Sequence, residues 1–432
     1  MNYPIMSCLK FYFNPSYKTH HKVITLINLC YNLPMKKDLL SPELISKEIR
    51  FLIACAQTNP TEEDKTFLIR TIQHSTFDIQ HLTAHASRHG ILPLVYKTLK
   101  NLSTSHYSLE QLLADLKSAY SQIARRNMLM TAELLKIIRL LDEHDIQALA
   151  FKGPALAQMA YGDITLRQYG DLDILVDASD AYKAGKLMSE NGHTPVLPLS
   201  ILSNKTCLHT AKDFSLLSKS GVHTELHWRL FEKKYNIQLL SCATEQKCQG
   251  VTINGKRIQT LQNELLLVYL CLHGAKHAFE RIEWICDIDR LIRSSEVGWN
   301  HTVTLAEQSH SKRSFYLGLS LAHTLFRTPL PETLVTAIQN EGIRQLQTFT
   351  LEKMAARKSD RSDFEKNRET FDYQSKLFDT RIDKLRFRFS TFFKVSTTDC
   401  QTFNLPEHLK FLYIILRPVR LFWNYTQNIF RK

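Results

Sequence analysis

Tyr169-Gly170-Asp171-Leu172-Asp173-Ile174-Leu175-Val176 decides how the rest of the chain is read. Leu172–Val176 is a short, bulky, partly β-branched run, which spells a buried strand. Residues two apart on a strand point to one face. Leu172 and Ile174 therefore enter the core, while Asp171 and Asp173 project side by side from the other face. Two carboxylates held that close repel each other unless a cation joins them. Either the strand starts with two solvated acids, or the pair holds a hard cation such as Mg2+, whose shell carboxylates and phosphates complete.

The flanking sequence extends this unit. Upstream, Ile146–Phe151 is another apolar run, and it ends at Lys152-Gly153-Pro154 as a strand entering a turn. Proline after glycine marks a helix start, and Ala155–Tyr161 supplies two turns of it. Free backbone N–H groups at such a turn suit a phosphate, to which Lys152 adds a positive point charge. Downstream, Ala181–Asn191 is a helix stopped by Gly192. Val222–Leu230 is a third strand, with His223, Glu225 and His227 on one face. That face offers a third carboxylate or, in a different reading, a transition-metal site. Val251–Ile258 is a hairpin around Asn254-Gly255. A glycine turn, a paired-acid strand and a later acidic strand are the parts of a two-metal phosphoryl-transfer site.

Helical spacing surrounds the unit on both sides, from Leu44 to Leu149 and again after Leu261. The fold class expected is thus α+β and predominantly helical. A small mixed-sheet core over 146–260 lies between helical segments at 35–145 and 261–432. Residues 1–34 carry three lysines, no acid and no helical period, so they read as a poorly ordered extension, with Met1 and Met35 as alternative starts. Lys353–Lys376 is highly charged and reads as a solvated helix or loop.

Composition bounds the partners. At 432 residues, 44% hydrophobic and 22% charged, the chain is an ordinary multi-domain globular protein, not disordered or collagen-like. The net charge of +13 points to anionic partners: nucleotides, nucleic acid or lipid headgroups. Nine cysteines, an odd number without C-x-x-C, read as free thiols of a cytoplasmic protein. No apolar run approaches transmembrane length.

Ala150-Phe151-Lys152-Gly153-Pro154-Ala155-Leu156-Ala157, Tyr161-Gly162-Asp163 and Arg167-x-Tyr169-x-Asp171-Leu172-Asp173 together resemble the uncharacterised bacterial nucleotidyltransferase-like family of the DNA polymerase beta superfamily. Glu225-Leu226-His227-Trp228, His273-Gly274-Ala275-Lys276-His277, Trp284-Ile285-Cys286-Asp287 and Leu412-Tyr413 with Arg417-Pro418 fit the same family. Two details depart from the superfamily's usual pattern: Pro154 follows Gly153, and the gap to the paired acids is long. The resemblance implies a small nucleotidyltransferase core. It also implies a Mg2+-dependent, two-metal transfer of a nucleoside monophosphate from an NTP to an unknown acceptor. Asp171, Asp173 and Glu225 would be the catalytic and metal-holding residues. Lys152, Gly153, Arg167, His227, His273 and His277 are the expected nucleotide contacts. A non-catalytic nucleotide-binding or regulatory module is the alternative. A nucleic-acid or membrane-surface adaptor led by the basic tail is another.

Several residues carry two readings. His273 and His277 share a helix face, lining the nucleotide cleft or packing against Trp284. Gly274 stands where a zinc protease needs glutamate; Cys271 and Cys286 nearby leave a zinc site as a further, secondary reading. Arg167 reaches a phosphate or pairs structurally. Asp287 and Asp289 beside Arg290 read as salt-bridged helix surface. From 381 onward ten basic residues face three acids, with aromatics interleaved. This tail is expected to dock on the protein, with Leu412, Ile415 and Leu416 inward and Lys410, Arg417 and Arg420 outward or toward phosphate. Contact with nucleic acid or an anionic membrane is the less favoured outcome.

Overall fold

The computed structural model describes residues 45–73, 79–102, 107–232, 235, 248–355, 363–395, 397–403, 405 and 407–430. The extension expected at 1–34 and the start at Met35 lie outside these. Five short strands form one mixed sheet: β1 (Ala148–Ala150), β2 (Asp171–Val176), β3 (His193–Pro195), β4 (Asp213–Ser218) and β5 (His223–His227). Their order is β1-β2-β5-β4-β3. β2 and β5 are parallel, and the other neighbours are antiparallel. A separate hairpin joins β6 (Cys248–Ile253) to β7 (Lys256–Leu261). Asn254 and Gly255 both take positive φ at its tip, 50° and 77°, the backbone that a two-residue hairpin turn requires.

Helices make up most of the rest. The first, α1 (Lys47–Ala56), is capped by Ser46, whose Oγ accepts from the Ile49 N–H. The longest is α2 (Tyr107–Asp142). Its Met130, Leu134, Ile137 and Leu141 recur at steps of three and four and are all buried against the sheet. They meet Leu172, Ile174 and Val176 from β2 and Leu226 from β5. α3 (Gly153–Leu156) opens with Pro154 in its first turn. α4 (Ala181–Glu190) packs on the same core, which takes in Ala181, Ala184 and Met188. Tyr269 of α5 (Asn263–Lys276) meets Phe151 just past β1, and α6 (Ile282–Ser294) and α7 (Lys312–Phe326) pack on α5 in turn. Gln57, just past α1, donates to the Leu325 carbonyl at 2.8 Å, so the first helix is tied to α7. The fold is therefore α+β and predominantly helical, with a small mixed sheet at its centre.

Two C-terminal helices, α8 (Arg381–Phe393) and α9 (Tyr413–Phe430), pack on each other. Their orientation corrects the expected docking of the tail. Ile415 is 62% exposed, whereas Arg417 is only 8% exposed. The reason is electrostatic: Arg417 and Arg420 both reach the buried carboxylate of Asp399, at 2.5 and 2.7 Å. The Lys410 side chain lies outside the described residues. Among the described residues no helix is long and apolar enough to cross a membrane.

Candidate active site

Parallel pairing of β2 with β5 sets Asp171 opposite His223 and Asp173 opposite Glu225. Because the core-facing positions of both strands are apolar or small (Leu172, Ile174, Thr224, Leu226), the alternate positions are forced to one common face. The result is two overlapping donor sets, Asp171 with His223 and Glu225, and Asp173 with Glu225 and His227. Within each set the ligand atoms lie within 4.8 Å of one another, and Glu225 belongs to both.

The acids already have partners. Asp173 is 3% exposed. Its Oδ1 lies 3.0 Å from Lys152 Nζ and 3.0 Å from His227 Nε2. The same imidazole nitrogen is 3.2 Å from Glu225 Oε2. Facing two carboxylate oxygens, His227 Nε2 serves as the donor to both. Burial alone would raise the Asp173 carboxyl, but Lys152 and His227 outweigh it and hold it down to about 2. Glu225 is also held low, first by the His227 hydrogen bond and further by Lys212. Asp171 moves the other way, raised by burial and then by the neighbouring Asp173 charge. Lys152 stays charged despite burial because of Asp173.

Lys212 was not legible as a site residue. It precedes β4, contacts Asp213 and lies 3.5 Å from Glu225 Oε2. Only the β4–β5 pairing, which puts Asp213 opposite His227, brings it there. No local motif announces it.

Opposite the acids, α5 and α6 close a cavity of about 240 Å³ whose lining includes Lys152, Gly153, Asp171, Asp173, His273 and Trp284. His273 and His277 lie 5.1 Å apart, centroid to centroid, and each packs on Trp284 at about 5.5 Å. Burial pushes His273 well below the usual histidine range and His277 down to about 4, so both rings are neutral at pH 7. Gly153 sits at φ +51°, where a Cβ would lie 3.4 Å from the Asp171 carbonyl oxygen. Glycine is the residue that takes this backbone without strain.

Arg167 also lines this cavity, yet its charge is committed. Nε and Nη2 donate to the two oxygens of Asp287 at 2.8 and 2.9 Å, and Tyr161 OH donates to Asp287 at 2.8 Å. Asp287 and Asp289 are 0% and 1% exposed, which corrects their reading as helix surface. A two-residue charge pattern cannot reveal partners that arrive from elsewhere in the fold. Arg167 itself comes from the loop before β2, which α2 fastens through Asn127 Nδ2 to the Ile164 and Arg167 carbonyls, at 2.7 and 2.8 Å.

A family described as uncharacterised nucleotidyltransferase matches residues 75–327, a span that includes the whole sheet and the cavity. The crystal structure of an antigenic nucleotidyltransferase-like protein from Paracoccidioides brasiliensis is similar at 16% identity and a TM-score of 0.28, over 49% of this chain and 96% of that chain. No curated protein matches the chain.

Proposed function

The chain belongs to the uncharacterised nucleotidyltransferase family, and on that premise we propose that it transfers a nucleoside monophosphate from an NTP to an acceptor, with Mg2+ bound by Asp171, Asp173 and Glu225. The observation that carries this is the convergence of the three carboxylates from two adjacent parallel strands, with Glu225 shared by both donor sets. The donors fit the ion, since carboxylate oxygens on one wall of an open cavity suit a hard cation that keeps phosphates and waters in its shell. When bound, Mg2+ would neutralise phosphate charge and steady the attacking and leaving oxygens.

The chain's own residues do the rest. Lys152, a point charge on a flexible stem, would leave Asp173 for a phosphate oxygen once a cation takes its place. His273 and His277, being neutral rings beside Trp284, suit the base of the nucleotide better than its phosphates. Arg167 would hold the loop before β2 through Asp287, and so position the acids. The thiols of Cys55, Cys271 and Cys286 are free and buried, in keeping with a cytoplasmic protein.

A second reading, nucleotide binding without transfer, draws on Lys152 and His227 already compensating Asp173. Incubation with Mg2+, cell extract and each NTP labelled at the α-phosphate separates the two. Transfer places label in an acceptor, and Asp171→Asn or Asp173→Asn abolishes it. Binding alone gives a Mg2+–NTP-dependent rise in melting temperature with no labelled product. A rise of equal size in wild type and Asp173→Asn would sink the metal site itself.

A further inference from the structure

The C-terminal helix pair is built inside out. On α8, Asp383, Phe387 and Ser390 are buried. Ile382, Leu385 and Phe389 are 62%, 66% and 63% exposed, with Phe392 beside them. These positions fall at steps of three and four, hence along one outward stripe. On α9 the same holds: Tyr413 and Arg417 are buried, while Ile414, Ile415, Val419, Phe422 and Trp423 are all more than half exposed. The ionic contacts fix this orientation, because Arg417 is spent on Asp399 and on the Thr391 carbonyl, at 2.5 and 2.7 Å. Two packed helices thus turn their paired charges inward and their apolar stripes to water. A soluble monomer rarely leaves a contiguous patch of that kind uncovered.

Charge says what covers it. Arg381, Arg386 and Arg388 are exposed and border the α8 stripe, while Asp383 and Asp399 are buried. The sequence of α9 contains no acid. A second copy of this face would set cation against cation. Nucleic acid would satisfy the arginines but leave Ile382, Leu385, Ile415 and Val419 against a charged backbone. We propose that α8 and α9 lie on an anionic bilayer surface, with the apolar stripes at the headgroup–acyl boundary and the arginines on lipid phosphates.

The full chain, sedimented with phosphatidylcholine vesicles with and without phosphatidylserine, tests this. It should pellet with the anionic vesicles and bind neutral ones about tenfold or more weakly, and added salt should release it. The double variant Phe389→Glu/Phe422→Glu changes only exposed side chains, so it should keep the wild-type circular dichroism and lose pelleting. Failure to pellet with phosphatidylserine overturns the proposal, as does pelleting that the double variant retains. Equally, a vesicle-free dimer dissolved by the same variant would assign the face to a second copy. Displacement from vesicles by single-stranded RNA that binds both forms alike would assign it to nucleic acid.

Discussion

Two buried cation–carboxylate pairs line one cavity, and they are built differently. Arg167 meets Asp287 with two parallel hydrogen bonds, and Tyr161 adds a third to the same carboxylate. A guanidinium fork on a carboxylate is rigid and cannot be exchanged for a metal without losing its geometry. Lys152 meets Asp173 as a single point charge at 3.0 Å, and that carboxylate belongs to a cluster with Glu225 and His227. An ammonium there can be replaced by another cation. On the function proposed above, the Arg167 pair would hold the loop that delivers β2, whereas the Lys152 pair would occupy the acids until a metal or phosphate displaces it. On that reading one is scaffold and the other a placeholder.

The largest expected effect lies on the scaffold side. Arg167→Met leaves Asp287 buried with an uncompensated charge, which should cost about 3–5 kcal/mol in urea unfolding. Mg2+ should not recover it. A loss under about 1 kcal/mol would mean that the fork carries no more than an exposed surface pair, and the contrast between the two pairs would collapse.

Lys152→Met should cost less, about 2–3 kcal/mol, because His227 still donates to Asp173. Here Mg2+ should restore most of the loss. The acid limb provides an independent reading. The Asp173 carboxyl is held down to about 2, so its contribution is present above its unfolded value of ~3.9 and disappears as pH falls through about 2. Without Lys152 the folded value rises, and acid unfolding should begin at higher pH. If Mg2+ fails to rescue Lys152→Met, or rescues Arg167→Met equally, Lys152 is not a placeholder.

Much of the fold could be read from local pattern. β1, β2, β5, the hairpin and the flanking helices follow from apolar runs, period and turn residues, and the ends of these strands differ from expectation by three residues at most. β3 and β4 escaped. His193-Thr194-Pro195 is too short for a period, and its proline is tolerable only because β3 is a sheet edge. Alternating Phe214 and Leu216 in β4 gives only two inward apolar residues. What sequence could not show was compensation. That Arg167 is spent on Asp287, that Lys152 sits on Asp173, and that the tail hides Arg417 rather than Ile415 all depend on partners many residues away. Spacing reports which face a residue takes. It does not report who meets it there.

Glu283 supplies the smallest test, and it sharpens the comparison by adding a carboxylate with too little cation. It stands one turn before Asp287 on α6, lines the same cavity and is 4% exposed. Gly90 makes room for it, since a Cβ there would fall 1.5 Å from Glu283 Oε2. Arg281 reaches it at 2.9 Å from a partly exposed position. Burial outweighs that one contact and pushes the carboxyl up to about 7. The sign is therefore opposite to that of Asp173. The folded state favours the protonated acid, so this contribution is complete below the unfolded value of ~4.3 and is lost as pH rises through about 7. Glu283→Gln keeps the shape and cannot ionise, but it gives up the charge partner of Arg281. The net gain near pH 8 should be about 1 kcal/mol, vanishing toward pH 5. Urea midpoints measured across that range would show it. A variant that loses stability between pH 5 and 8 as steeply as the wild type would shift the slope to another group and leave Glu283 as well compensated as Asp287.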